Sequence, residues 1–196
     1  MTTVDGPRAS DALAPFLDEL EAPAPSASAG TAAAATAAMC AAIVVMVGRG
    51  SPEWPDGGGV AAQARALRGK LIDLGEEDVD VFGGVLELLR EGQNLSPEQR
   101  DFELGRKLVA AAEVPLRIAE AAADVSELAA LAASEGKPSL RPDAAAAATM
   151  AEAAVRAAAH LVDINLATLP GDGRSSRAAS LSAAAEAARE RALRMA

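Results

Sequence analysis

Between residues 104 and 132, apolar side chains recur at alternating intervals of four and three residues. The series consists of Leu104, Leu108, Ala111, Pro115, Ile118, Ala122, Val125, Ala129 and Ala132. This period is typical of a helix that packs one stripe against its neighbours. Alanine forms about a quarter of the chain, whereas there are only three Phe, one Trp and no Tyr, which disfavours β-sheet. We therefore predict an all-α protein, an up-and-down antiparallel bundle of about five long helices plus a C-terminal helix.

Proline, glycine and capping residues predict where these helices begin and end. A single domain over residues 1–196 is expected, with residues 1–9 flexible and 174–196 forming the last helix. The glycine- and proline-rich loop 48–59 is expected to be mobile, and Pro115 is expected to bend the helix that contains it. The predicted helices cover residues 10–21, 28–48, 60–90, 96–135, 142–169 and 175–195.

Charge and cysteine content exclude several classes of function. The net charge of −10 at pH 7 argues against a nucleic-acid partner, because binding phosphates requires a basic surface. Cys40 and His160 are the single residues of their types, so we expect no intrachain disulfide and no metal site built from cysteines or histidines. The N-terminal sequence has no secretory pattern, and a cytoplasmic location is expected.

A charge-free stretch from residue 22 to residue 48 is long enough to cross a bilayer. It contains no leucine, and alanine gains little on transfer to hydrocarbon. A helix buried in the centre of the bundle is therefore favoured over a membrane span, and no membrane partner is expected.

One carboxylate interrupts an otherwise apolar seam. Asp78 stands where a leucine is expected in the series Leu67, Leu71, Leu74, Asp78, Val81, Val85 and Leu88. Burial disfavours the ionised form of a carboxyl group unless donors or a cation compensate, and such acids cluster at functional sites. The alternative is a slight rotation of the seam that places Phe82 in the core and Asp78 in a groove.

Two polar residues of the next-to-last helix are weaker candidates. Asp143 follows Pro142 at the predicted helix start, where a carboxylate can cap free N–H groups without any further role. Asn165 lies between Ile164 and Leu166 and would be a buried amide that needs partners. His160 is interpreted as structural or half-exposed, and Cys40 as a small core residue.

Five short strings of the chain, taken in order, form a pattern that can be compared with known families. They lie at residues 16–25, 76–82, 114–116, 136–138 and 164–166. Together they resemble the cyclodeaminase/cyclohydrolase family, which includes the cyclodeaminase half of formiminotransferase-cyclodeaminase and bacterial methenyltetrahydrofolate cyclohydrolases. The most diagnostic string is Val-Pro-Leu at 114–116, which carries the mid-helix proline of the family.

The resemblance implies a helical, usually dimeric enzyme that binds folate in a cleft between subunits. Asp78 falls on an acidic position proposed as catalytic in the family, where a carboxylate shuttles a proton while a one-carbon bridge between two nitrogens opens or closes. No cofactor is implied beyond the folate substrate. The residues expected to bind substrate are Gly30, Thr31, Arg49, Trp54, Asp143 and Asn165.

This chain departs from the family pattern at polar positions. The Gly-Gly-Gly-Ser turn of the family is replaced by Ser-Ala-Ser-Ala-Gly-Thr at 26–31, in which only Gly30 and Thr31 match. Arg49 and Trp54 stand nearest to the Lys and Tyr of relatives. Three functions therefore stay open: a folate one-carbon enzyme, a same-fold enzyme with a non-folate substrate in secondary metabolism, and a non-catalytic helical binding protein.

Overall fold

The structure is a computed structural model that describes residues 8–22, 28–91 and 94–195. Every regular element in these ranges is helical. Residues 1–7, for which the sequence predicts flexibility, lie outside them. A 3₁₀ turn at Pro138–Leu140 precedes the sixth helix. The α-helices are α1 Ala9–Glu21, α2 Ala29–Gly50, α3 Gly57–Glu91, α4 Pro97–Ala111, α5 Glu113–Glu135, α6 Arg141–Asn165 and α7 Gly173–Met195.

The long helices form the predicted bundle around α5, which packs against α2, α3, α6 and α7. Helices α2 and α3 are antiparallel, because Thr31 lies beside Gly75 while Gly48 lies beside Gly57. Helix α7 runs in the direction of α5, as the Glu120–Arg177 ion pair and a second pair farther along both helices show. The prediction of an all-α helical bundle is confirmed.

Small side chains fill most of the core. Most alanines of α2, α5 and α6 are buried, which lets these helices approach closely. Larger side chains such as Leu71, Leu74 and Ile118 fill the remaining space. Cys40 is also fully buried, and its burial raises the pKa of the thiol to about 11. Cys40 is thus the small core residue that the sequence predicts.

Helix α2 is formed by the charge-free segment that is long enough to cross a bilayer. It alone among the described helices is long and apolar enough to cross a bilayer, and 56% of its apolar window is buried inside the bundle. Its exposed residues form one stripe that includes Met39 and Met46. The helix therefore serves as an interior element with one apolar face left open.

The connection between α2 and α3 is shorter than the loop predicted at 48–59. Helix α2 continues to Gly50, and the glycines 57–59 form the first turn of α3 instead of a loop. Ser51 and Trp54 are buried in the remaining turn. The prediction was wrong here because glycine-rich segments are poor helix formers by propensity, and contacts between helices override that preference.

The predicted helix 96–135 is also corrected, since it is divided at Ala112 into α4 and α5. The division lies three residues before Pro115, which has no N–H to donate to the carbonyl of Ala111. The helix is interrupted there for one residue, although Ala112 keeps right-handed helical angles (φ −69°, ψ −19°) and both its N–H and its carbonyl make helical hydrogen bonds.

Candidate functional site

Asp78 lies on the inward seam of α3 and is only 8% exposed. Leu71, Leu74 and Val85 of the same seam are buried as predicted, whereas Phe82 is exposed. The carboxylate therefore occupies the core position itself, and the alternative in which Phe82 replaces it is wrong. It faces the first turn of α2, whose positive end favours a negative charge.

Two hydroxyl groups of that first turn meet one oxygen of Asp78. Ser28 Oγ donates a hydrogen bond to Asp78 Oδ2. Thr31 Oγ1 lies 3.3 Å from the same oxygen and 3.3 Å from the carbonyl oxygen of Gly75. Ser28 is the N-cap of α2 and forms a capping box with Thr31, so the local fold of the helix end orients both hydroxyls.

Gly30 lies directly against the carboxylate. A Cβ atom on this residue would come within 2.5 Å of Asp78 Oδ1 and 2.6 Å of Oδ2. The sequence predicts that a glycine here allows close approach of a ligand; in the structure the group that approaches is the Asp78 side chain. Glycine is required because any side chain would displace the acid.

A cavity of about 300 Å³ adjoins this cluster. Its wall is mostly apolar, with the acidic side chains of Glu19 and Glu76 also in the lining. Thr31 belongs to the wall and also contacts Asp78, so the cavity and the acid are neighbours. The apolar side chains of the wall belong to Phe16 of α1, Ala35 of α2, and Leu71, Ile72 and Val79 of α3, and Thr31 of α2 lies among them.

The acidic residues around Asp78 lie on other faces of α3. Glu76 and Asp80 are exposed. Glu77 accepts two hydrogen bonds from Arg117 Nη1 of α5, at 2.6 Å and 2.8 Å. Such half-exposed pairs contribute little to stability, but this one attaches α5 to α3 one residue before the acid.

Three predicted substrate-binding residues lie at the other end of the bundle. Arg49 is exposed in the last turn of α2, Trp54 is 8% exposed, and Asp143 is exposed in the first turn of α6. Gly30 and Arg49 are separated by nearly the full length of α2, about 28 Å at 1.5 Å per residue. One copy of the chain therefore does not bring these residues to Asp78.

A second cavity, of about 380 Å³, lies at this far end. Trp54, Lys137 and Arg141 contribute to its lining, together with the acidic Glu53 and Glu135. The mixed charges give it a different chemical character from the apolar cavity beside Asp78.

Asn165 has a partner in the backbone. Its Nδ2 atom donates to the carbonyl oxygen of Ala111 at 3.3 Å. This carbonyl is the one left without a helical donor by Pro115, so the amide replaces the missing hydrogen bond. Nearby, Arg174 Nη1 donates to the carbonyl of Val109 at 2.9 Å, which attaches α7 to the end of α4. A role of Asn165 in substrate binding stays a prediction.

Ser28 is the residue of this cluster that sequence reasoning did not single out. A Ser followed three residues later by Thr at the start of a charge-free helix indicates an N-cap. That pattern could identify the cap, but it could not reveal a partner on α3, 50 residues away.

Comparisons with known proteins identify the family. The family model described as formiminotransferase-cyclodeaminase matches residues 12–187. A crystal structure of a formiminotetrahydrofolate cyclodeaminase from Thermotoga maritima has the same fold, with a TM-score of 0.79 at 21% sequence identity, over 98% of this chain and 96% of that chain. No curated protein matches the sequence. The chain belongs to the formiminotransferase-cyclodeaminase family.

Proposed function

We propose that this protein is a folate one-carbon enzyme, either a methenyltetrahydrofolate cyclohydrolase or a formiminotetrahydrofolate cyclodeaminase. The observation that carries the proposal is the buried Asp78 carboxylate, held at the start of α2 beside an apolar cavity. The family match and the fold of the Thermotoga maritima cyclodeaminase support it.

Asp78 acts as the general acid and base in both reactions. In hydrolysis, water adds to the methenyl carbon and gives one proton to the carboxylate. The carbon–nitrogen bond then breaks as Asp78 returns the proton to the leaving nitrogen and the new hydroxyl loses its own proton to form the formyl carbonyl. In deamination, the ring-closing nitrogen of folate attacks the carbon of the protonated formimino group (=NH2+). The proton of the attacking nitrogen passes through Asp78 to the amino group, which departs as ammonia and leaves the methenyl cation. This route uses no cofactor besides the substrate.

The substrate has an apolar place to bind next to the acid. A planar ring fits the cavity between Phe16 and the α2–α3 surface, where aromatic contact and burial contribute binding energy. Thr31 at the boundary directs the reacting atoms toward the carboxylate. A ring bound there displaces water from the apolar wall, which strengthens the electrostatic effect of Asp78 on the reacting atoms.

The protein acts as a homodimer in this proposal, in the cytoplasm. The open stripe of α2 carries no charge from Ala32 to Met46 and starts at the cavity, since Ala35 belongs to both. Two copies that pair their α2 stripes in antiparallel fashion bring Asp78 of one protomer toward the end that carries the partner's Arg49 and the partner's Trp54. The predicted binding residues then meet across the interface.

A second candidate is an enzyme of the same fold with a non-folate substrate. The specific observation in its favour is Ser28, which belongs to the segment 26–31 that replaces the Gly-Gly-Gly-Ser turn of the family. Its side chain contacts Asp78. A side chain there narrows the space in front of the acid.

The decay of methenyltetrahydrofolate absorbance tests the first proposal. Wild-type protein should accelerate the decay or, as a deaminase, release ammonia from formiminotetrahydrofolate. Asp78→Asn should lower kcat by about 10²- to 10⁴-fold, because general acid–base catalysis contributes that much. Asp80→Asn, an exposed change on the same helix, is the matched control and should keep wild-type rates. Absence of both activities, with no folate binding by calorimetry, would favour the second candidate.

A further inference from the structure

The two oxygens of the Asp78 carboxylate have different surroundings. Oδ2 receives the hydrogen bond from Ser28 and lies within reach of Thr31. Oδ1 receives no hydrogen bond from the described residues, and it is not fully buried. We infer that Ser28 is a positioning residue that holds Oδ2 and leaves Oδ1 as the oxygen that exchanges the proton. This inference rests on the proposed acid–base role of Asp78.

The direction of the Ser28 hydroxyl is set by the backbone of α2. Its oxygen accepts a hydrogen bond from the Gly30 N–H at 3.0 Å. The single hydroxyl hydrogen is therefore free to point to Asp78, and the serine acts only as a donor to the carboxylate. A donor to a charged oxygen gives one of the stronger hydrogen bonds in a protein.

Thr31 is the weaker of the two holders. Its oxygen accepts from the Ser28 N–H at 3.2 Å, and its one hydrogen is shared between the Gly75 carbonyl and Asp78 Oδ2, both at 3.3 Å. Each of these distances is long for a hydroxyl donor. Ser28 therefore provides most of the restraint on the carboxylate.

Gly30 restrains the carboxylate from a second direction. The space around its Cα is so narrow that both carboxylate oxygens lie within 2.6 Å of the position that a Cβ would take. With the hydroxyl on Oδ2 and the helix backbone beside it, rotation of the carboxylate requires loss of the Ser28 contact. Since small displacements of a reacting group lower rates by up to about 10²-fold, this restraint has a kinetic value.

Ser28→Gly is the test, and Ser96→Gly is its matched control. Ser96 is the N-cap of α4 and forms a capping box with Gln99, but it is exposed and contacts no carboxylate across the fold. Glycine is an acceptable N-cap, so both variants should fold, with a somewhat larger loss of thermal stability in Ser28→Gly because it also removes a donor to a buried carboxylate. We expect kcat of Ser28→Gly to fall by about ten- to hundredfold with KM within about twofold of wild type, while Ser96→Gly keeps both values.

Two results would overturn the inference. One is a kcat for Ser28→Gly within about twofold of that for Ser96→Gly, and the other is a raised KM with unchanged kcat, which would make Ser28 a substrate contact.

Crystal structures of wild type and Ser28→Gly provide a measurement that is independent of turnover. If wild type acts on no folate, the proposed function fails, but rotation of the Asp78 carboxylate away from Thr31 in the variant would still support the positioning role. An unmoved carboxylate would refute it.

Discussion

The two ends of α2 use similar devices for different results. At the start of the helix, Ser28 and Gly30 meet Asp78, and one carboxylate oxygen is left without a donor from the described residues. At its end, Ser51 donates to the Val47 carbonyl at 2.7 Å and accepts from the Lys137 N–H at 2.8 Å. There a serine joins two backbone segments, whereas Ser28 orients an acid. The comparison teaches that one capped helix end holds a buried acid, whereas the other joins two segments of the backbone.

The sharpest way to break this comparison is to add one methyl group at each end. Gly30→Ala places its Cβ against the movable Asp78 carboxylate, whereas Gly48→Ala places it 2.6 Å from the Gly57 carbonyl oxygen, which belongs to the backbone. We expect Gly30→Ala to lose about 10²-fold in activity or more with little change in stability, because the side chain is displaced. Gly48→Ala should lose about 1–3 kcal/mol of unfolding free energy and keep its activity per folded molecule.

Urea denaturation and turnover, measured on both variants, check this contrast. Equal losses of activity in the two variants would show that the ends are not functionally distinct. A large loss of stability in Gly30→Ala would mean that the carboxylate has no room to move.

The second prediction tests whether two copies of the chain pair so that the start of α2 in one copy lies near the end of α2 in the other. Met39, 50% exposed in the middle of the open α2 stripe, is changed to Glu. In a twofold interface the new charge enters twice and is buried without a partner, so we expect the dissociation constant to rise by at least about 100-fold. Light scattering during gel filtration measures the mass.

Phe102→Glu is the control for this prediction, since Phe102 is 71% exposed on α4, away from α2. It should leave the mass unchanged. A wild-type protein that is monomeric at micromolar concentration would contradict the proposed dimer and leave Arg49 and Trp54 far from Asp78.

The smallest expected effects come from two polar residues of α6, Asp143 in its first turn and Asn165 at its last position. Asn165→Ala leaves the Ala111 carbonyl without its donor and should cost about 1 kcal/mol of unfolding free energy. Asp143→Asn removes an exposed charge from the first turn of α6 and should cost less than about 1 kcal/mol. Thermal denaturation compares the two variants. A larger loss for Asp143→Asn would reveal a contact of that side chain beyond the helix end.

Much of the fold was predictable because packing leaves a periodic record in the sequence. The interrupted seam on α3 identified Asp78 from spacing alone, and the buried seam residues agree with it. The interruption at Ala112 was less predictable. The carbonyls beside it receive donors from Asn165 and Arg174, which lie in distant parts of the chain. Tertiary contacts of this kind leave no local pattern.

The candidate site was predictable only in part for a similar reason. The resemblance placed Gly30, Thr31, Arg49 and Trp54 in one set by sequence order, but α2 separates the first two from the last two by its own length. The Ser28 contact with Asp78 was missed because capping explains that serine locally.

The burial of Cys40 has a practical consequence for the experiments above. With its pKa raised to about 11, the thiol is almost entirely protonated at neutral pH, and the sulfur is shielded from reagents as well. The native chain therefore behaves toward maleimide dyes almost as if it had no cysteine. A fluorophore or spin label attached to a cysteine introduced on the α2 stripe would report on association between copies without background from the native sulfur.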